Sequence, residues 1–457
     1  MKNLILIAVT LFVSISSYAA TIEVTLPQAI DLALKNNPSI KIANSEINID
    51  KAKKMQIKAM FYPKISSVSK YFNTNHLPSM YHLGGVNMPV FDNTGEMTGD
   101  HLTFHPMAPY PNKVGMAYRT DINLMFPLYT GGKRHNAIKS IDKMHNANQS
   151  NLNEKKSLLT YNVKKVFSNI LFLNKVIDVY EEALSQYNKH LELAKVAYKQ
   201  GVRSELDILK FQSKIEEFKS KIIDLKGKRE IANIGLANLL NLPATDHLIC
   251  IADKKDITTE NITEDYSQKM NKILSNNWKI KMLQDKIAAL NFKKKINSSK
   301  KLPTIFAFGN YNLTHNMDFA PFDETWHGSY AVGLGLKVDI FDGNKSKGET
   351  AETNATIGKL KYSKEGLSLK LRIDLEKSLA KIQSLIAEKK ALEKNLIVAQ
   401  KALSIVTVGF NNGVNTNIEL NDAALKIIKV KTLIAKTEKD INIEKANIVY
   451  LSGGFGN

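Results

Sequence analysis

A heptad pattern of apolar residues constrains the fold of this chain more than any other feature of the sequence. Twelve positions follow one another at alternating steps of four and three: Leu159, Val163, Val166, Ile170, Leu173, Ile177, Tyr180, Leu184, Tyr187, Leu191, Ala194 and Tyr198. Apolar residues at this spacing lie along one side of a helix and pack as in a coiled coil. The pattern predicts a helix from about 133 to 199, about 100 Å long at 1.5 Å per residue.

The same pattern returns 212 residues further along the chain. The matching positions are Leu371, Leu375, Ser378, Ile382, Leu385, Lys389, Leu392, Leu396, Ala399, Leu403, Val406 and Phe410. Ser378 and Lys389 are the two exceptions to the apolar series. The sequence therefore predicts two tandem repeats, 21–243 and 266–457, joined by a polar connector at 244–265.

Each repeat is predicted to run helix, strand, strand, long helix, turn and helix. The opening helix breaks near Asn37 in the first repeat and near Asn277 in the second. The strands are expected at about 64–73, 115–128, 304–314 and 329–341, and the second long helix at about 345–410. The second strand of each pair alternates apolar with polar or small residues, which is typical of a strand that faces lipid on one side. An ordinary half-buried strand is the alternative.

Between the first two strands, residues 74 to 113 contain prolines, glycines and asparagines without periodicity, which predicts a surface loop. The loop also holds four histidines and four methionines, namely His76, His82, His101, His105, Met80, Met88, Met97 and Met107. Imidazole and thioether groups suit copper, but these spacings match no defined metal site. We expect an exposed loop without a metal, and no cofactor, although the sequence alone leaves metal binding by the loop open.

The N-terminus has the pattern of a secretory signal peptide, which we assign to residues 1–20. A basic residue, Lys2, precedes an apolar run, and small residues at Ser17 and Ala19 fit a cleavage site. This apolar run is too short to cross a bilayer as a helix, and the sequence has no other apolar run that is long enough. The single cysteine, Cys250, excludes an internal disulfide. For an exported chain with neither disulfides nor transmembrane helices, the possible locations are the periplasm, the outer membrane and the medium.

The formal net charge of +19 raises the question of a nucleic-acid partner. The lysines are spread over the predicted helices without an evident basic block, and an exported chain meets little nucleic acid. We interpret the charge as a solvated basic helix surface and expect no nucleic-acid partner. The sequence contains no Gly-rich phosphate loop and no HExxH or GxSxG motif, so we expect that the protein is not an enzyme.

The number of strands predicts an oligomer. Four strands per chain cannot close a barrel that faces lipid, because open edges leave backbone groups unpaired in hydrocarbon. Three chains would supply twelve strands and an aqueous lumen. The long helices continue directly from the strands and would extend such a barrel as a tube packed along the heptad positions.

Several segments resemble the TolC-type outer-membrane efflux family. They are VTLPQAIDLALKNNP at 24–38, PLYTGG at 127–132, YKQGVRSELD at 198–207 and FNNGVNTNIELND at 410–422. The resemblance implies a mainly α-helical homotrimer with a transmembrane β-barrel of twelve strands on a long coiled-coil tunnel, which reaches from the outer membrane into the periplasm. It also implies a periplasmic adaptor and an inner-membrane pump as partners, outer-membrane lipid around the strands, and export of drugs, metals or proteins.

The resemblance also implies a periplasmic entrance at the helix-turn-helix tips. In the family, acidic residues on the returning helix of the second repeat surround the narrowest point, and the matching positions here are Glu419 and Asp422. Close-packed carboxylates of three copies would attract cations. Two acidic residues near the positive end of a helix dipole are the simpler alternative.

The family holds this entrance shut through a first-repeat Asp, a second-repeat Tyr and a second-repeat Arg. Asp207 matches the Asp, but Phe410 has no hydroxyl and Asn415 has no charge. The resemblance therefore leaves open how the entrance closes. Pairing of Asp207 with Lys199 or Arg203, or a weaker closed state, are the alternatives.

The two tip turns are candidates for adaptor docking. They are centred on Gly201 and Val202 in the first repeat and on Gly413 and Val414 in the second. Helix termination alone also explains the glycines. We expect an efflux channel for small molecules. The alternatives are the outer-membrane channel of a type I protein secretion system, or a periplasmic coiled-coil adaptor or structural protein. The sequence names neither the substrate nor the pump and adaptor.

Overall fold

The computed structural model describes residues 21–74, 80–82, 86–92, 94–104, 107–109, 115–243, 247–251, 265–315 and 326–455. The predicted signal peptide lies outside these residues. The elements in chain order are β1 (Thr21–Thr25), α1 (Leu26–Asn36), α2 (Pro38–Ala59), β2 (Lys64–Thr74), β3 (Met80–His82), β4 (Val86–Phe91), β5 (Met97–Phe104), β6 (Met107–Pro109), β7 (Gly115–Thr130), α3 (Lys133–Lys199), α4 (Glu205–Leu240), β8 (His247–Ile251), α5 (Tyr266–Asn276), α6 (Trp278–Ser299), β9 (Thr304–His315), β10 (Trp326–Lys337), α7 (Lys345–Asn411) and α8 (Asn417–Leu451).

The chain forms two compact units. The helical unit contains the described residues up to Ile49, together with His145–Lys286 and Leu360–Asn457. The strand unit contains Asp50–Met144 and Ile287–Lys359. Within the described part of the chain, no helix is both long and apolar enough to cross a bilayer.

The predicted helix breaks at Asn37 and Asn277 are confirmed, and the two asparagines make the same contacts. The Oδ1 atom of Asn37 accepts a hydrogen bond from the backbone N–H of Ser39, and its amide donates to the Leu239 carbonyl at 2.9 Å. Asn277 accepts from Lys279 and donates to the Leu451 carbonyl, also at 2.9 Å. Each asparagine thus caps one helix start and satisfies a carbonyl at the end of a returning helix. The two halves repeat each other at the level of single hydrogen bonds.

The heptad residues of α3 and α7 form much of the core of the helical unit. Buried members are Leu159, Val163, Ile170, Leu173, Ile177, Tyr187, Leu191, Ala194, Leu371, Leu375, Ile382, Leu385, Ala399 and Phe410. Helices α4 and α8 return along this surface and bury their own apolar side chains against it, including Phe211, Phe218, Leu420 and Ile428. Burial of apolar area at this interface supplies most of its stability.

Both polar exceptions in the heptad pattern meet an acidic residue of α8. The Ser378 hydroxyl donates to Glu444 at 2.9 Å, and Lys389 pairs with Glu438 at 2.9 Å. Glu438 also pairs with Lys175 of α3 at 2.9 Å, so that one carboxylate joins three helices. Burial alone would raise the pKa of Glu438, but hydrogen bonds from the two lysines hold it below its ordinary value. A polar pair inside a heptad interface fixes the helix register at some cost in apolar burial.

The strand unit contains a four-stranded antiparallel sheet in the order β2-β7-β9-β10. The pairing puts Leu334 opposite Ala307, Leu124 opposite Gly309 and Ile65 opposite Leu124, which gathers the apolar residues on one face. The other face carries polar side chains, where Asn310 donates to Asn123 at 2.7 Å and Arg119 pairs with Asp121 at 3.0 Å. The alternation predicted from the sequence therefore separates an apolar from a mostly polar face.

The glycines of β10 lie under aromatic rings of β9. Gly333 is opposite Phe308 and Gly335 is opposite Phe306. A Cβ atom at Gly335 would come within 2.3 Å of the Phe306 ring, and one at Gly333 within 2.9 Å of the Phe308 ring. Glycine at these positions lets each ring lie flat across the neighbouring strand.

The predicted strand at 329–341 is wrong in its bounds. The strand begins at Trp326 and ends at Lys337, so residues 338–341 lie outside it. Lys337 pairs with Thr304, the first residue of β9. The residue before Thr304 is Pro303, which has no N–H for a further pair. Pairing stops there although the alternation in the sequence continues.

The connector and the long loop contain strands that the sequence did not predict. Within the connector at 244–265, β8 pairs in parallel with β1, and its Leu248 and Cys250 are buried. Within the stretch 74–113, predicted as a loop without strands, β4 pairs with β5 and β3 with β6. The β4–β5 turn is held by Asp92, whose carboxylate accepts from the backbone N–H groups of Thr94 and Glu96. A five-residue strand and a short hairpin are too brief to show a period.

Part of the histidine and methionine set of this stretch, including His76 and His105, lies outside the described residues. Among the described residues, no group of three His, Cys, Asp or Glu side chains could hold a metal ion.

Candidate functional site

The two turns that join the long helices to the returning helices have the same geometry. The first tip (residues 200–204) joins α3 to α4, and the second tip (residues 412–416) joins α7 to α8. Gly201 and Gly413 adopt φ values of 74° and 77°. The next residues, Val202 and Val414, donate their N–H groups back to Ala197 and Gly409 at 2.9 and 2.8 Å. This is the glycine helix ending predicted from the sequence.

The glycine endings leave each valine at the surface. The side chains of Val202 and Val414 are 68% and 79% exposed. The two valines and the glycines before them, Gly201 and Gly413, were predicted to contact an adaptor. The turn geometry is compatible with that role, and it is also what helix termination alone requires.

Capping residues start the returning helices. Ser204 accepts a hydrogen bond from the Asp207 N–H at 3.3 Å, and Thr416 accepts from the Glu419 N–H at 3.3 Å. The Glu419 carboxylate reaches back and accepts from the Thr416 N–H at 2.7 Å, which completes a capping box. Hydrogen bonds from the Thr416 backbone, from the Asn415 amide and from the Thr416 hydroxyl lower the pKa of Glu419. Glu419 is therefore an anion held in a fixed position.

Glu419 and Asp422 are both exposed, three residues apart near the start of α8. A spacing of three puts them on one side of the helix. Asn415, the other polar residue expected here, donates its amide to Glu419 at 3.2 Å. The start of α8, next to the second tip, therefore presents two carboxylates on one side, one of them fixed by the helix cap.

Phe410 and Arg203 form a contact between the two tips. The Phe410 side chain is buried, with its ring edge-to-face against Phe211 at a centroid distance of 6.0 Å. The Arg203 guanidinium lies over the Phe410 ring, 4.0 Å from its centroid, and donates to the Phe410 carbonyl. A cation over an aromatic face is attracted by the ring quadrupole. The phenylalanine at this position thus binds an arginine of the first tip.

Asp207 contributes its backbone carbonyl, and its side chain makes no ion pair with any described residue. The carboxylate accepts from the Ser204 hydroxyl at 3.2 Å within its own turn. The Asp207 carbonyl accepts from the Asn417 amide at 3.2 Å, and Asn417 is buried. Within the described chain neither Lys199 nor Arg203 pairs with Asp207, and Arg203 contacts Phe410 instead.

Asn417 is a site residue that the sequence analysis missed. It is the first residue of α8, where an amide has no distinctive pattern, and its partner lies 210 positions earlier in the chain. For Arg203 the sequence offered one weak indication, since it is a charged residue in the turn of the first repeat and Phe410 is an aromatic residue beside the turn of the second. Both contacts depend on how two distant turns meet.

Above the tips, helices α3, α7 and α8 enclose a groove of about 480 Å³. Apolar side chains such as Val179, Leu403 and Ile428 line it, together with Tyr187 and His190. The Tyr187 hydroxyl and His190 Nδ1 are buried atoms with no hydrogen-bond partner in the described structure. Burial raises the pKa of Tyr187 and lowers that of His190, so both side chains are neutral near pH 7.

The family model of the outer membrane efflux protein matches residues 29–242 and 270–454. A comparison with curated protein sequences finds no match. Solved structures with the same fold include the outer membrane protein VceC from Vibrio cholerae, at 14% identity and a TM-score of 0.72, covering 94% of this chain and 96% of that chain. The MtrE outer membrane channel of Neisseria gonorrhoeae gives 16% identity and a TM-score of 0.72, covering 94% and 89%.

A membrane protein from Pseudomonas aeruginosa gives 14% identity and a TM-score of 0.74, covering 95% of this chain and 92% of that chain. These likenesses extend over nearly the whole of each chain, and the family model matches both repeats. The chain therefore belongs to the outer membrane efflux protein family, whose members are non-enzymatic channels of the outer membrane that extend into the periplasm.

Proposed function

We propose that three copies of this chain form the outer-membrane channel of a tripartite efflux system, which exports small molecules across the periplasm and the outer membrane. A periplasmic adaptor and an inner-membrane pump are the expected partners, and the pump supplies the energy. The observation that carries the proposal is a sheet with an exposed apolar face and two unpaired edges, continued by helices of 67 residues.

The apolar face of the sheet supports a position in lipid. Tyr330, Val332, Leu334 and Leu336 follow one another on this face of β10 and are 68% to 80% exposed. Such a surface in water would be strongly unfavourable at roughly 25 cal/mol per Å² of apolar area. A band of hydrocarbon removes that cost.

The sheet edges support an oligomer. β2 and β10 each have one neighbour in the sheet, so each leaves one row of backbone N–H and C=O groups unpaired within the described chain. In hydrocarbon every such group costs several kcal/mol. Pairing of β2 with β10 of the next copy satisfies both rows, and three copies close a barrel of twelve strands. The chain order β2-β7-β9-β10 makes this closure possible without a crossover.

Exposed apolar residues on the helices support the same assembly. They recur along α4 and along α7, at Leu206, Leu209, Ile223, Ile231, Ile234, Leu369, Ile373, Ile386, Ile397 and Ile405. An interface between neighbouring copies would remove these side chains from water. A coiled-coil tunnel in which α4 of one copy packs near α7 of the next would bury the exposed apolar side chains of both helices.

At the narrow end of the tunnel we place the second tip. Three copies of Glu419 and Asp422 would form a ring of six carboxylates that attracts cations. The exposed valines of the tips, with Gly201 and Gly413, are the proposed adaptor contacts.

The test uses the full chain extracted in detergent. Size-exclusion chromatography with light scattering should give three chains per particle, and planar bilayers should show cation-selective single channels. Substitution of both carboxylates, Glu419→Gln with Asp422→Asn, should lower the cation preference towards unity. Glu205→Gln removes an exposed charge at the first tip and serves as the matched control. A monomeric particle without conductance would refute the channel, and an unchanged selectivity would refute the carboxylate ring.

A further inference from the structure

A basic cavity lies in the strand unit where the sheet meets the helices. It has a volume of about 670 Å³ and is lined by Lys294, Lys295 and Asn291 of α6, by Asn136 of α3 and by Leu302. Gly131, which directly follows β7, completes the wall. The cavity is too large for a single water and within the range of small-ligand sites.

The lysines around this cavity carry charge that no described acidic residue neutralises. Lys293, Lys294 and Lys295 are exposed and make no ion pair with any described residue. Lys300, in contrast, pairs with Glu349. The sequence analysis found no basic block, because lysines are common along all the long helices. The structure shows that Lys294 and Lys295 of this run line a concave surface near the end of α6, where positive potential is focused.

The donors at the cavity fit an anion. The ammonium groups of Lys294 and Lys295 offer several N–H donors each, and the amide of Asn291 is exposed beside them. The Ser298 hydroxyl is occupied, since it donates to the Lys294 carbonyl at 3.1 Å. A phosphate group with two or three acceptor oxygens matches the lysines and the free amide.

The position of the cavity identifies the source of the phosphate. Gly131 follows the last residue of β7, and Leu302 lies two residues before the first residue of β9. Exposed Tyr129 and Leu302 lie at the same ends of these strands. Aromatic and basic residues at the end of a lipid-facing strand lie at the depth of lipid headgroups. Leu302 is an apolar residue in the lining of the cavity.

The first repeat provides an internal comparison. At the offset of 240 residues that relates the opening helices, Lys294 corresponds to Lys54 and Lys295 to Met55. Lys54 is neutralised by Asp142 at 2.6 Å. Two adjacent lysines without an acidic partner at positions 294 and 295 are therefore not repeated at the corresponding positions 54 and 55 of the first repeat.

We propose that this cavity binds the phosphate of an anionic phospholipid in the periplasmic leaflet of the outer membrane. The inference rests on the proposed function for the orientation of the strands in the membrane. It gives each copy one lipid site at the junction of sheet and helices.

The test is native mass spectrometry of the full chain in detergent, titrated with phosphatidylglycerol, with phosphatidylcholine or with inorganic phosphate. The wild-type protein should retain phosphatidylglycerol in preference to phosphatidylcholine. Lys294→Gln with Lys295→Gln should weaken phosphatidylglycerol binding roughly 30-fold, since each lysine near an anionic surface contributes about a fivefold factor. Lys54→Gln removes the paired lysine of the first repeat and should leave binding unchanged.

Equal binding of phosphatidylglycerol by the wild type and the double variant would overturn the proposal. Binding of inorganic phosphate without any preference for the anionic lipid would overturn the assignment to lipid. Conductance in bilayers of pure phosphatidylcholine separates this inference from the channel itself. Normal conductance with no lipid preference refutes the lipid site alone, whereas a lipid preference without conductance refutes the channel and leaves the basic site.

Discussion

The contact between Arg203 and Phe410 leads to the most direct test of how the two tips are held together. The guanidinium lies 4.0 Å from the ring centroid and donates to the Phe410 carbonyl. A partly exposed cation–π contact contributes about 1 kcal/mol, and a hydrogen bond from a charged donor about 1.5 kcal/mol. After allowance for solvent around the half-buried arginine, we expect about 2 kcal/mol. That free energy is about a 30-fold change in the equilibrium between joined and separated tips.

We therefore expect Arg203→Ala to raise the fraction of time that single channels spend in their most conducting state by about 30-fold, if separation of the tips opens the entrance. Arg203→Lys keeps the charge but loses the planar stacking, and should give an intermediate value. Asp207→Ala is the matched control, because among the described residues its carboxylate accepts a side-chain hydrogen bond from Ser204 of the same turn alone. Equal effects of Arg203→Ala and Asp207→Ala, or no effect of either, would refute this reasoning.

Three further predictions concern stability. Asn277→Ala should lower the free energy of unfolding by about 2 kcal/mol, because it removes a helix cap and the bond to a buried carbonyl, and thermal melting followed by circular dichroism would show it. Glu438→Gln should destabilise the protein at pH 7, and this effect should shrink as the pH is lowered below the unfolded pKa. The folded pKa of Glu438 is depressed, so its contribution is present above the unfolded value of about 4.3 and is lost as the pH falls through the folded value. Gly335→Val should reduce the heat resistance of the assembled sheet on denaturing gels, because the Phe306 ring occupies the space of a Cβ atom.

Controls separate these effects from general damage. Asn276→Ala changes the residue next to the helix break and should leave the melting temperature nearly unchanged. Glu388→Gln removes an exposed charge from α7 and should show no pH-dependent difference. Val332→Ala shortens an exposed side chain of the same strand without entering the space of a ring, and should preserve heat resistance. If a control behaves like its test variant, the specific contact is not the cause.

The long helices and the strands of the sheet follow from short-range patterns. The heptad spacing determines which side of α3 and α7 is buried, and alternation determines which residues of β7 and β10 share a face. The helix breaks at Asn37 and Asn277 could also be predicted from the sequence, since the asparagines interrupt an otherwise helical pattern. The matched spacing of the tips and the strand-to-helix turns carried the resemblance to the efflux family, which the family model confirms.

The contacts between the two tips could not be predicted from the sequence. Arg203 binds Phe410, 207 positions later, and Asn417 binds the carbonyl of Asp207 across a similar distance. The resemblance pointed to Asp207, Phe410 and Asn415 as a group, and the structure connects each of them to a different partner. A sequence pattern shows residue types and not which of two turns will face which.

The polar exceptions in the second heptad series show the same division. In the sequence, Ser378 and Lys389 interrupt the series of apolar heptad residues, and no interaction partner for them could be predicted. Tertiary packing brings Glu444 and Glu438 of α8 against them and adds Lys175 from the first repeat. A residue that weakens a pattern when read alone thus becomes part of a bridge between three helices.

The sequence by itself determined the duplication, the helices and the strands of the four-stranded sheet, the faces they bury and the family, because each of these depends on periods of two to seven residues or on motifs of a few residues. Tertiary structure alone decided the parallel pairing of β1 with β8, the stacking of Arg203 on Phe410, the bridge at Glu438 and the basic cavity at Lys294. These features join residues that lie far apart in the chain. Their free energies depend on distances and burial that exist only once the helices have packed.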